Sequence, residues 1–122
     1  GPPQWEPQLL ETLCGLLAEA APECSFDWQN KTGVPLRLPE RAHPWAAVLT
    51  KKPDAIHLLL YGPPGRFPLG EVAALGHEPQ VSRLRDGVDV IRLKFRSPED
   101  LARGDLRAFL QAHHAAVAGK GS

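Results

Sequence analysis

Between two stretches of alternating apolar and charged residues, Gln80–Arg85 and Val88–Arg96, stands the dipeptide Asp86-Gly87. Alternation with a period of two marks a half-buried strand, and Asp-Gly between two such runs is the strongest short-range hairpin signal. An all-helical fold is therefore excluded. A two-residue loop pairs Arg85 with Val88, Arg83 with Val90 and Val81 with Arg92. Leu84, Ile91, Leu93 and Phe95 are then expected on the core side, because successive side chains point to opposite faces. Arg83, Arg85, Arg92, Lys94 and Arg96 are expected together on the other side, interleaved with Val81, Val88 and Val90 and with no acid among them.

The rest of the chain supplies partners for that hairpin. Leu9, Leu10, Leu13, Leu16, Leu17 and Ala20 recur at helical spacing and predict a helix from Gln8 to Ala21, stopped by Pro22, with Trp5 packed against its start. Short apolar runs follow at Ser25–Trp28, Val34–Leu38, Trp45–Thr50 and Ala55–Tyr61, each bounded by turn residues, as in short strands. Pro35 is expected to place the second of these at a sheet edge. A short helix is predicted over Leu69–Leu75, closed by Gly76. Ser97-Pro98-Glu99-Asp100 combines an N-cap, a proline at the first helical position and an acid three residues on. A last helix is expected from Asp105, with Leu106, Phe109, Leu110, His113 and Val117 as its apolar stripe. The order helix, strands, short helix, hairpin, helix predicts a two-layer α+β domain, its helices packed on an antiparallel or mixed sheet.

Composition limits what such a domain can do. At 122 residues, the chain suits one domain with a modest core. Lys plus Arg and Asp plus Glu are 14 each, so a basic surface can arise only from uneven distribution. Nothing resembles a membrane span or a signal peptide. Cys14 and Cys24 are too few for a disulfide framework and read as reduced thiols of a cytoplasmic protein. The chain has no Met and opens Gly1-Pro2, as after removal of an expression tag. It is therefore expected to be a piece of a larger protein: residues 1–7 scar and linker, 8–118 the domain, 119–122 a flexible tail.

The stretch Gly62-Pro63-Pro64-Gly65 follows an apolar run and invites comparison with a phosphate-binding loop. That loop needs a second glycine, a lysine and a hydroxyl at the places held here by Phe67, Pro68 and Leu69. A rigid strand-to-helix turn is expected instead, with Arg66 alone open to a role in binding. None of His43, His57, His77, His113 and His114 has ligand spacing, except the adjacent pair, whose side chains diverge on a helix. No metal, cofactor or catalytic centre is expected; Ser97 reads as a helix cap, and Asn30-Lys31-Thr32 as an acceptor sequence without a secretion signal. Trp28 and Trp45 read as packing residues.

The segments "APECSFDWQNKTGV", "HPWAAVLTKKPDAIHLLLYGPPGRFPLGEVAALGHEPQV" and "VIRLKFRSPEDLARGDLRAFLQAHHAAV" resemble a domain appended to the C-terminus of some bacterial UvrA proteins. UvrA is the damage-recognition ATPase subunit of the nucleotide excision repair excinuclease. The resemblance covers Trp5 to Val117 and rests on a Trp before a strand, Thr-Lys-Lys-Pro, Gly-Pro-x-Gly and a closing helix. The element order is also similar to the small YjbR/MmcQ and YdhG families, the former commonly described as predicted DNA-binding proteins. These likenesses imply an accessory domain of a DNA-repair protein without ATPase activity, and carry no functional-residue motif.

The leading expectation is thus a non-catalytic domain that contacts DNA through Arg83, Arg85, Arg92, Lys94 and Arg96, extended by Lys51 and Lys52. A merely solvated outer face, or an acidic protein partner, explains the same residues. The alternative is a protein-interaction module without DNA contact. It would dock on the rest of its parent polypeptide or on another repair protein, through an apolar patch around Trp45, Phe67 or Leu69. A small-ligand fold would need a closed apolar pocket between sheet and helices. No membrane partner is expected.

Overall fold

The fold was analysed in a computed structural model that describes residues 5–29 and 32–118. The expected tail 119–122, the first four residues of the expected linker, and Asn30-Lys31 lie outside the described residues. Helix α1 spans Pro7–Ala20, so helical structure begins with the last residue of the expected linker, a proline suited to a first turn. Its buried residues Leu9, Leu13 and Leu17 recur every four positions and form one stripe. Four strands follow: β1 (Ser25–Phe26), β2 (Gly33–Arg37), β3 (Ala46–Leu49) and β4 (Ile56–Gly62). Helix α2 (Leu69–Ala74) leads into the hairpin of β5 (Val81–Arg83) and β6 (Asp89–Phe95), and a 3₁₀ turn (Pro98–Leu101) leads into α3 (Gly104–Val117). The strands form a single open sheet in the order β1-β2-β3-β4-β6-β5, every pairing antiparallel, so the α+β expectation holds in its antiparallel form.

Pairing register sorts the sheet into two faces. Val34, Val48, Leu58 and Leu93 form one cross-strand row, and Leu36, Ala46, Leu60 and Ile91 the next. Both rows are buried with the stripes of α1 and α3, and with Val72 and Leu75, in one hydrophobic core. The opposite face carries the rows Gly33, Leu49, His57, Lys94 and Pro35, Ala47, Leu59, Arg92, none of which belongs to that core.

Pro35 does not sit on the edge strand as expected. The two-residue β1 covers β2, and Asp27 donates its N–H to the Pro35 carbonyl where β1 ends. The proline's missing donor therefore falls beyond the end of the β1–β2 ladder and leaves no gap in it.

The hairpin also departs from expectation, by one residue. Arg83 pairs with Asp89, Ser82 with Val90, and Val81 with Ile91. Leu84 donates to the Val88 carbonyl (2.8 Å), and Gly87 N–H donates to the Leu84 carbonyl (3.0 Å), closing a three-residue loop with Gly87 at φ +85°. Such a slip flips every side chain of β5 to the other face. Asp89 explains the choice. The two-residue register would set its buried carboxylate opposite Leu84; the observed one gives it Arg83 Nε at 2.7 Å and Nη2 at 3.3 Å. Gly65 N–H adds a third bond at 2.8 Å. The Arg83 hydrogen bond, then the Gly65 amide, hold the Asp89 carboxyl below the usual carboxylate range. Because Gly87 must adopt a left-handed conformation, Gly87→Ala is expected to cost about 1 kcal/mol, read from urea unfolding midpoints.

The 3₁₀ turn carries the expected capping box. Asp100 Oδ2 accepts from Arg96 N–H at 2.7 Å and Ser97 N–H at 3.2 Å. In α3 the buried stripe is Leu106, Phe109, Leu110 and His114. His114 thus takes the inward place expected of His113, and both rings lie against the fully buried Trp45.

Candidate nucleic-acid interface

The face of the sheet that the helices leave open projects Arg37 from β2, His57, Leu59 and Tyr61 from β4, and Val90, Arg92 and Lys94 from β6. No strand position on this face is an Asp or Glu. Strand alternation explains this arrangement: the even-numbered positions 56, 58 and 60 of β4 bury Ile and Leu, leaving the odd ones for the open side. The cations are not isolated side chains on a solvated edge. His57 lies opposite Lys94, and Arg92 donates from Nη1 to His57 Nδ1 at 3.2 Å, which requires that nitrogen to be unprotonated. Burial lowers the His57 pKa first, followed by the charges of Arg92 and Lys94; Lys52 adds to them and Asp54 opposes. One imidazole thus reports cations from β6 and from the β3–β4 turn in the same neighbourhood.

Of the residues expected in the basic strip, the fold brings together Arg92 and Lys94, with Arg96 along the same groove, while Lys52 lies outside the groove in the turn before β4 and acts on His57 only through its charge. Among the described residues, neither Arg92, Lys94 nor Arg96 has a carboxylate at ion-pair distance. Lys51 lies beside Lys52 in the exposed turn. Arg83 is removed from the strip by the register shift and bound to Asp89 on the helix side, which with the hydrogen bond raises its pKa. Arg85 stands in the three-residue hairpin loop, four sequence positions ahead of β6. Arg37, which sequence reasoning missed, sits near Tyr61 but shares its charge with Asp27 at 3.7 Å. Its signal was present: alternation within Gly33–Arg37 sets Arg37 opposite to the buried Val34 and Leu36.

A groove of about 840 Å³ runs over this surface. Leu59, Tyr61, Val90, Arg92 and Lys94 lie along the sheet, with Leu75–Glu78 and Gln80 beside them, and Glu78, Glu99 and Asp100 bring acids to the same groove as Arg96 and Arg103. His77 secures that neighbouring segment. Its Nδ1 accepts the Lys94 N–H at 3.3 Å where β5 no longer covers β6, and its ring meets Phe95 edge-on at 5.2 Å. Arg103 donates to the carbonyls of Leu75 (2.7 Å) and Ala74 (3.4 Å), closing α2. Burial raises the Tyr61 pKa, against the nearby Arg37 charge, so the phenol presents a neutral ring to the groove.

The helix side carries two smaller depressions. One, of about 230 Å³, lies between the Gly62–Pro68 turn and α3 and is lined by Phe67, Phe109, His113 and Val117, with Arg66 at the same cleft. Gly62 lets the two rings approach closely there: a Cβ would stand 3.2 Å from the Phe67 ring and 3.3 Å from His113 Cε1, so a larger residue must displace them by a few tenths of an ångström. The Gly-Pro-Pro-Gly stretch is thus a strand-to-helix turn, as expected. The other, of about 370 Å³, brings Phe67, Leu69 and Val81 beside the Arg83–Asp89 pair. Among the described residues no group of His, Cys, Asp and Glu is arranged to hold a metal ion, and no helix is long and apolar enough to cross a membrane.

No protein-family model, curated protein or solved structure gives a significant match to the chain.

Proposed function

We propose that this domain is a non-catalytic module that holds the phosphate backbone of DNA against the open face of its sheet, as an accessory part of a cytoplasmic DNA-repair polypeptide. The observation that supports this reading is that Arg92 and Lys94 stand with His57 on a face where no strand projects an acid, while Lys52 and Asp54 of the neighbouring turn act on the same imidazole in opposite senses. Clustered cations on one surface release the condensed counterions of a polyphosphate, and a neutral chain achieves this only by placing its charges unevenly. A contact of this kind reads charge spacing rather than bases, so binding is tolerant of sequence.

Titration of a fluorescent DNA oligonucleotide at rising salt tests the reading. Two or three phosphate contacts are expected to weaken binding by about tenfold to fiftyfold between 50 and 200 mM salt. Arg92→Glu with Lys94→Glu should lower affinity by about tenfold or more while leaving the melting temperature near that of the parent, since both side chains are exposed. Arg66→Glu, on the helix side, should leave affinity unchanged. Wild-type affinity in the double variant, or no binding at 50 mM salt, overturns the proposal.

The protein-docking reading retains one support. Trp45 is fully buried and unavailable, but Leu69 (40 % exposed) and Val81 (37 % exposed) flank Phe67 in a single depression. A variant with Leu69→Ser and Val81→Ser that keeps DNA affinity but loses association with the parent polypeptide would assign docking to that side.

A further inference from the structure

We infer that the open face takes a single strand of nucleic acid, with unpaired bases laid on Tyr61 and Leu59, the two half-exposed side chains of its floor, and phosphates on Arg92 and Lys94. The inference rests on the reading above and narrows its ligand class. Its ground is the pattern of the face, which is not uniformly polar. Tyr61 pairs with Val90, and Leu59 with Arg92, so each apolar side chain of β4 has a β6 partner on the same face. Leu84, 38 % exposed, extends the apolar strip along the groove. A surface serving only phosphates has no use for this strip.

Shape points the same way. Six strands about 4.8 Å apart make a sheet roughly 24 Å across, too wide for a major groove about 12 Å wide. A duplex would therefore touch the face only through its backbone and leave Tyr61 and Leu59 facing stacked, inaccessible bases. An unpaired strand offers phosphates along one side and base faces along the other. Cations beside an aromatic or apolar floor match both, and stacking of a base on an aromatic ring contributes about 1–3 kcal/mol. The neighbouring Leu75–Glu78 segment, tied to β6 by the His77 hydrogen bond, gives the groove a direction along Tyr61, Val90, Arg92 and Lys94.

The test compares a labelled thymidine oligonucleotide with a duplex of the same length at 50 mM salt, using the whole chain. The single strand is expected to bind at least about tenfold more tightly. Tyr61→Ala should lower single-strand affinity by about tenfold and leave duplex affinity within about twofold, while Tyr61→Phe, which keeps the ring, restores the single-strand value. Circular dichroism melts of both variants confirm that they fold. A duplex bound as tightly as the single strand, or a Tyr61→Ala variant that loses both equally, overturns the inference while leaving the phosphate-binding reading in place. Binding to neither, with a folded protein, overturns both.

Discussion

Trp45→Ala is expected to destabilise the domain by about 3–5 kcal/mol, against a total stability of about 5–15 kcal/mol for a domain of this kind. The side chain is completely buried, where β3 begins and α3 crosses it. The His114 ring meets it edge-on at a centroid distance of 5.3 Å, and the His113 ring lies tilted at 6.3 Å. Its indole N–H has the Cys24 thiol as polar neighbour, a weak acceptor, so the loss on truncation is chiefly packing rather than hydrogen bonding. The main chain of Trp45 also bridges two strands, donating to the Leu36 carbonyl and accepting from Tyr61 N–H at 3.0 Å. The Ala46–Leu49 strand cannot shift inward to fill the space without breaking those bonds, which keeps the cavity open and the cost high. Thermal and urea melts followed by circular dichroism measure this. A loss below about 1 kcal/mol would mean that the ring is not packed as described. Trp45→Phe should recover part of the loss.

That prediction concerns a residue whose packing role was legible in the sequence, and the contrast with the hairpin shows why. Element identity came from local periodicity: the stripe of α1, the punctuated strands and the Ser97–Asp100 capping box all involve residues within a few positions of one another. The hairpin loop length did not. Asp-Gly suits both a two-residue loop and the last two places of a three-residue one, and local sequence does not separate them. What selects the longer loop is the burial of Asp89 by the rest of the fold: the Gly65 N–H can reach its carboxylate in either register, and only the observed one adds Arg83. The candidate face was therefore half legible. Arg92 and Lys94 follow from the parity of β6, which the buried Ile91, Leu93 and Phe95 fix in either register. Arg37 joins that face only through sheet order, and Lys52 acts on His57 only through its charge, from the turn before β4.

Acidification is expected to weaken the domain through His113. Burial, opposed by the Tyr61 and Trp45 carbonyls and reinforced by the neighbouring His114, lowers its pKa from 6.5 to about 4. Its ring stacks on Phe67 at 5.1 Å, and its Nε2 is sealed from solvent with no hydrogen-bond partner among the described residues. The folded pKa lies below the unfolded one, so the unfolded chain binds the proton first as pH falls. Stability is complete above about pH 6.5 and drains away as pH falls towards 4, by up to about 3 kcal/mol. About 2 kcal/mol of this is expected between pH 7.5 and 5. His57 and His77, also held below their ordinary values chiefly by burial, act in the same direction. His113→Phe separates their share, because it keeps a ring against Phe67 and removes the proton site. Urea unfolding at pH 7.5 and 5 should show a markedly smaller stability difference for the variant than for the parent, whatever its stability at pH 7.5. Equal differences would mean that His113 takes up its proton as readily in the folded chain as in the unfolded one, and that the cleft beside α3 admits water to its ring.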